Sequence, residues 1–288
     1  MRPIKLNSHT PYRWVEMTAN LLGTTVADTL EGVFGDDPDE LYVVDPSRHA
    51  VEALVEAAND YDTPLPTLRV LADERTLKDV MDDFIVASTA ANLVEDGSLA
   101  LRTVDVENRS PMLVTEERAI ALLETGRFVG GLATDDDDLA ETAYDAANTD
   151  WAAADEFALR TPAIDRVRET LGDDINADVG DDFDDVLASL ETARGDGEGL
   201  DEVTISLLVA AKNRELLYDI SKWGEDVGIA SKATFSRTKT KLEDLGLVDT
   251  EKVPIDVGRP RLRLKLADDR LEDAPAPEFA NVAESMLA

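Results

Sequence analysis

"SKATFSRTKTKLEDLGLVD", residues 231–249, carries Lys232, Arg237, Lys239 and Lys241 within its first eleven residues and no acid among them. Ser231 is a helix-capping residue type and Gly246 a helix stop, so the stretch predicts one helix running to Leu245. At about 100° per residue, Phe235, Thr238, Leu242 and Leu245 cluster on one side and are expected to pack inward. Ala233, Ser236, Arg237 and Thr240 point the other way, with Lys232, Lys239 and Lys241 on the flanks. A major-groove reader needs this arrangement: small or polar residues and an arginine for base edges, with cations beside them for phosphates. Glu243 and Asp244 fall in the last turns, away from a duplex docked on that face.

Working outward, the neighbouring segments supply the rest of a winged helix. Residues 201–214 and 215–228 read as two helices, the second ended by Gly228, and "IAS" turns the chain into Ser231. Residues 247–253 and 261–266 read as strands joined by "PIDVGRP". A strand puts Arg261, Arg263 and Lys265 on one face and Leu262, Leu264 and Leu266 on the other. The "GRP" tip places Arg259 where an extended arginine reads minor-groove width. The expected DNA contacts are therefore Ser231, Lys232, Ala233, Ser236, Arg237, Lys239, Thr240, Lys241, Arg259, Arg261 and Arg263.

Charge agrees with that assignment. Residues 212–265 hold 12 bases and 9 acids, net +3, in a chain of 288 residues with 62 acids, 28 bases and net charge −34. Asp supplies 38 of the acids and Lys only 9 of the bases. Such self-repulsion burdens a compact chain in dilute buffer but not in molar salt, where the Debye length is about 3 Å. The expectation is a halophilic, cytoplasmic protein whose acids are mostly a solvated surface. That reading covers Asp135 to Asp138, which otherwise suggest a metal site; no metal, cofactor or catalytic residue is expected. Cysteine is absent, so no disulfide or thiolate zinc site is available. No run of about 18 apolar residues exists. The basic start, residues 1–17, lacks an apolar signal core and reads as a loose extension, with Met17 a possible alternative start.

The first hundred residues read differently. "LYVV" (41–44), "TLRVLA" (67–72) and "SLALRTV" (98–104) are strands separated by helices at 45–59 and 73–94. Asp45 is expected to cap the first of those helices, with Pro46 at its first position. Strands at 111–115, 118–124 and 127–134 follow, with "ETGR" (124–127) as a hairpin turn and a helix over 139–157. The expected fold is an α/β domain with a mixed sheet and helical crossovers (18–157). A helical linker (158–199), the winged helix (200–268) and a tail or short docking helix (269–288) follow. Thr161 and Pro162 are expected to open a helix. Phe183, Val186, Leu187 and Leu190 form one apolar stripe.

"WGEDVGIASKATFSRTKTKLEDLGLVDTEKVPIDVGRPRLRLKL" is the part of the chain that most resembles the haloarchaeal winged-helix regulators of the TbsP kind, within a likeness over 18–270. That resemblance implies a DNA-binding transcription regulator, connected in its relatives with central carbon metabolism alongside TrmB-type regulators. Because a single winged helix buries little surface on DNA, a homodimer on two half-sites is expected. The N-terminal part more weakly resembles phospholipase-D-like sensory domains of archaeal regulators. It lacks that enzyme fold's His-x-Lys, so the resemblance implies sensing or dimerisation. The expected partner is double-stranded promoter DNA, with dimer contacts in the helices at 139–193. An unknown small-molecule effector would sit at Asp45, Ser47 and Arg48, where a helix N-terminus follows a strand. Two other classes stay open: an adaptor whose winged helix docks proteins, and a small-molecule α/β enzyme. The enzyme reading is opposed by the absence of a Gly-x-Gly-x-x-Gly, P-loop or Gly-x-Ser-x-Gly motif. Only two histidines, His9 and His49, are present.

Overall fold

Leu41, Tyr42, Val43 and Val44 are all buried because β1 (Glu40–Val44) runs through the middle of a sheet. The computed structural model describes residues 25–104, 110–125, 128–134, 136–194, 199–254, 260–272 and 274–287. The other strands of the sheet are β2 (Thr67–Ala72), β3 (Leu99–Thr103), β4 (Met112–Val114), β5 (Ala119–Thr125), β6 (Phe128–Thr134) and β7 (Asp155–Glu156). Their order is β6-β5-β4-β1-β2-β3-β7. β1 pairs parallel with β2 in the register Leu41–Leu68 and Val43–Val70, and antiparallel with β4. β4, β5 and β6 form an antiparallel meander. The sheet is mixed, as the alternation followed by sequential strands predicts.

The chain divides into two compact units, the first made of residues up to 57, 61–73 and 101–155. It contains α1 (Val26–Gly35), most of α2 (Arg48–Asp60) and α5 (Asp137–Ala153) with most of the sheet. Thr25 caps α1 through a reciprocal capping box with Asp28. The cap of α2 is Ser47, not Asp45: the Ser47 hydroxyl accepts the Ala50 N–H at 3.1 Å. Asp45 instead turns the chain with φ 48°, a left-handed conformation that Asp tolerates. Asp136 caps α5, which ends at Ala153, and residues 155–156 become the edge strand β7.

The second unit is made of residues 58–60, 74–100 and 156–288. Where one helix is expected over 73–94 there are two, α3 (Glu74–Met81) and α4 (Phe84–Glu95). Asp83 breaks them. It is 1% exposed, and its carboxylate accepts the N–H of Ile85 (3.0 Å) and of Ala193 (3.2 Å) and faces Arg194 at 3.3 Å. An Asp that serves three partners cannot also continue a helix. α6 (Ile164–Asp174) starts two residues beyond Pro162, on an Ala163 cap that offers no side-chain bond. α7 (Ala177–Ala188) buries Val179, Phe183, Val186 and Leu187.

α8 (Glu202–Lys212) is buried from Val203 to Ala211 and is the central rod of this core. Around it pack α9 (Leu217–Val227), α10 (Lys232–Asp244) and the hairpin of β8 (Val248–Val253) and β9 (Arg261–Leu266). Helix, helix, helix and hairpin in that order make a winged helix. The end of the chain follows the docking alternative. After α11 (Asp269–Glu272), α12 (Ala276–Leu287) inserts Phe279, Ala280 and Ala283 into the same core. Residues 126–127 of the expected hairpin turn, the N-terminal residues 1–24 with His9, residues 195–198 and residues 255–259 with Arg259 lie outside the described residues.

Candidate nucleic-acid interface

α9 and α10 meet at a glycine. A Cβ on Gly224 would stand 2.3 Å from the Phe235 ring, so only glycine lets the second helix sit flat on the first. The Gly224 carbonyl collects three N–H groups, from Gly228 (3.2 Å), Ile229 (2.8 Å) and Ala230 (3.3 Å). Gly228 adopts φ 100°, the left-handed cap that glycine favours. The turn is thus fixed by backbone bonds, and Ser231 then caps α10 by accepting the Thr234 N–H at 3.2 Å.

Phe235 and Leu242 point into the core with no exposure. Leu245, expected inside, is 41% exposed: it is the C-cap residue, and Leu247 takes the buried place. On the opposite side Ser231, Ala233, Ser236, Arg237, Thr240 and Lys241 are exposed. Thr240 donates to the Ser236 carbonyl (3.1 Å) and Arg237 to the Thr234 hydroxyl (3.4 Å), so both stay on their own helix.

Among the described residues, Lys232, Lys239, Arg261, Arg263 and Lys265 are each paired with an acid of the same unit. Lys232 meets Glu225 of α9 at 2.5 Å. Lys239 meets Glu243 at 2.7 Å, and Glu243 also accepts the Thr250 hydroxyl at 3.0 Å, tying α10 to β8. With its side chain only 13% exposed, Lys239 sits in a structural bridge between helix and wing. Arg261 lies 4.5 Å from the Tyr218 ring centre and 3.3 Å from Asp219. Across the hairpin, Lys265 faces Asp249 at 2.8 Å and Arg263 faces Glu251 at 3.5 Å. These last two are directly opposed register pairs. The electrostatic consequences are local: the Lys232 ammonium holds the Glu225 carboxyl below its usual range, and Lys265 does the same to Asp249. Reading the basic stripe of β9 alone misses its partners. Folding residues 248–253 back on 261–266 in sequence would have found them.

In the first unit, the three residues expected at an effector site are engaged locally. Ser47 caps α2 and donates to Glu124 at 2.6 Å. Arg48 pairs with Glu52 at 2.9 Å. Asp45 donates its N–H to the Leu71 carbonyl at 2.8 Å. None of them lines the cleft of about 950 Å³ in that unit, which is walled by Asp37, Asp39, Glu116, Glu141 and other acids around Arg118. Arg118 is itself paired with Asp36 at 2.5 Å. Among the described residues, no group of His, Cys, Asp and Glu has metal-holding geometry, and no helix is long and apolar enough to cross a membrane.

Two family models together match residues 18–284. The N-terminal domain of TbsP-like transcriptional regulators matches residues 18–162, and their C-terminal helix-turn-helix domain matches residues 163–284. No curated protein sequence matches. Among solved structures, the chain is similar to TrmBL2, described as an archaeal chromatin protein with a novel mode of DNA binding. That match has 18% identity and a TM-score of 0.34, and it covers 47% of this chain and 53% of that one.

Proposed function

The chain belongs to the TbsP-like transcriptional regulators, and from that premise we propose that α10 reads promoter DNA in the major groove. The observation that carries this reading is the exposed, acid-free face of Ala233, Ser236, Arg237, Thr240 and Lys241. Arg237 is the base-reading residue, with a planar fork suited to guanine O6 and N7, and Lys241 is a phosphate contact. The wing meets the backbone beside it through Arg261 and Arg263, and Arg259 reads the adjacent minor groove. One winged helix offers a small footprint, so the working form is a homodimer on two half-sites. The α/β unit serves sensing or dimerisation. The acid excess fits a halophilic archaeal cytoplasm, and the regulated genes are those of central carbon metabolism.

The test is binding to genomic fragments in molar KCl, followed by mapping of the selected sites. Arg237→Ala should weaken binding to the selected sequence by about 1–3 kcal/mol and relax preference at one base pair per half-site. Unchanged affinity and unchanged preference in Arg237→Ala would remove α10 from the groove. Failure of the unaltered protein to select any sequence would favour a winged helix that docks proteins.

A further inference from the structure

The first turn of α10 already holds an anion. Glu225 Oε2 is 2.5 Å from the Lys232 ammonium, and Glu225 Oε1 accepts the Lys232 backbone N–H at 3.4 Å. Lys232 is the first residue of α10, so one carboxylate takes both its side-chain charge and one of the helix's free N-terminal donors. A phosphate at a helix N-terminus uses the same two kinds of group.

The placement is built into the fold. Glu225 follows Gly224, whose bare Cα lies against Phe235 and whose carbonyl anchors the turn into α10. The separation of Glu225 from the α10 N-terminus is therefore set by core packing. Both partners are nevertheless near half exposed, at 42% and 45%, so water and a competing anion can reach them. Elsewhere on this face, Arg237 bonds only Thr234 among the described residues, and Lys241 has no carboxylate partner there. The next acid along, Asp226, is engaged by Lys222.

Resting on the reading of α10 as the groove-facing helix, we infer that Glu225 is an intrachain stand-in for a DNA phosphate, which the duplex must displace from Lys232. Displacement has a signature in salt. A lysine that neutralises a phosphate releases cations from DNA. If it must first leave a carboxylate, that carboxylate takes up a cation, and the two changes cancel. Lys232 thus contributes almost nothing to the salt dependence of binding in the natural protein. Replacing Glu225 by its uncharged isostere leaves the release uncompensated.

The experiment is a KCl titration of affinity for a selected DNA site, using the full chain and the variants Glu225→Gln, Asp226→Asn, Lys232→Gln and Glu225→Gln/Lys232→Gln. Glu225→Gln should bind about fivefold tighter, the upper end of what one exposed ion pair is worth. Its slope of log affinity against log salt should steepen by about 0.9. The steepening should vanish in the double variant, which has no lysine to deliver. Asp226→Asn makes the same change in net charge next door and should leave the slope alone. Equal effects from Asp226→Asn would reduce the result to net charge and overturn the inference. So would a Glu225→Gln protein, folded by circular dichroism, with unchanged or weaker binding and an unchanged slope. In that case, a loss on Arg237→Ala would leave the groove-facing assignment standing; an inert Arg237→Ala would bring down both.

Discussion

Arg69 of the α/β unit and Arg261 of the winged helix make the same set of contacts, a carboxylate and an aromatic ring, with different consequences. Arg69 lies 2.8 Å from Glu40 and within 6 Å of two rings, 5.3 Å from the centre of Tyr42 and 5.6 Å from Trp151. It also donates to the Tyr42 hydroxyl at 2.5 Å. The Arg69 and Glu40 side chains are only 28% and 16% exposed, beside an apolar cluster of Tyr42, Val44, Leu71, Val114 and Ala147. Burial raises the Tyr42 pKa, and the bond to Glu40 together with burial raises that of Tyr144. Arg261 and Asp219 are 40% and 38% exposed. A half-buried network cannot give up a member without leaving a charge out of water. An exposed pair can change partners at little cost. Arg69 and Glu40 serve as structure, whereas the exposed pairs of the winged helix, Arg261 with Asp219 and Lys232 with Glu225, are free to change partners.

The largest effect expected is on neither pair but on the joint that sets the second unit's surface. Gly224→Ala drives a methyl into Phe235, and overpacking of this kind costs about 1–3 kcal/mol. Chemical denaturation followed by circular dichroism should show the loss, accompanied by weaker DNA binding. An unchanged midpoint would mean that the helix contact is looser than its geometry.

Next, Arg69→Met should cost about 2 kcal/mol, below the range for a fully buried pair because Arg69 is partly wet. Arg261→Met should cost less than about 1 kcal/mol of stability. Equal losses would erase the contrast between the two units.

A smaller, pH-dependent effect belongs to Glu202, in the first turn of α8. Burial, with Asp201 and Asp82 nearby, raises its pKa from 4.5 to about 7. Between those values the folded chain holds a proton that the unfolded chain has lost, so stability falls as pH rises through that window. Above it the penalty is complete. Glu202→Gln should therefore stabilise the protein at pH about 8, by an amount on the order of 1 kcal/mol after allowance for the helix N-terminus, and do little at pH about 4.5. Denaturation midpoints at the two pH values check it; the same shift at both would assign the gain to something other than ionisation.

The winged helix was legible because its signals are local. Gly228, Ser231 and Gly246 punctuate helices, and Phe235 and Leu242 mark a buried side within one turn pattern. The β1–α2–β2 alternation and the antiparallel meander were legible for the same reason. What escaped was set by contacts across the chain. Asp83 ends a helix because Ala193 and Arg194 reach it from 110 residues away. Lys239 reads as a flank cation but is held by Glu243, which the Thr250 hydroxyl bonds in turn. Asp45 reads as a cap but yields to Ser47, since its own backbone is left-handed. On the candidate interface, helical periodicity separated exposed from buried residues and could not show which cations were already occupied.

The salt dependence of DNA binding across about 0.5–3 M KCl tests the account most directly. On the proposed reading Lys232, Arg261 and Arg263 would each leave a carboxylate to meet phosphate, so that cation uptake offsets release, whereas among the described residues of α10 Lys241 and Arg237 have no carboxylate to leave and contribute fully. The account predicts a slope much shallower than the −0.9 or so per basic contact of an ordinary DNA-binding protein, flattening further at high KCl. A steep slope that counts every basic residue of α10 and the wing, constant over the whole range, would contradict it.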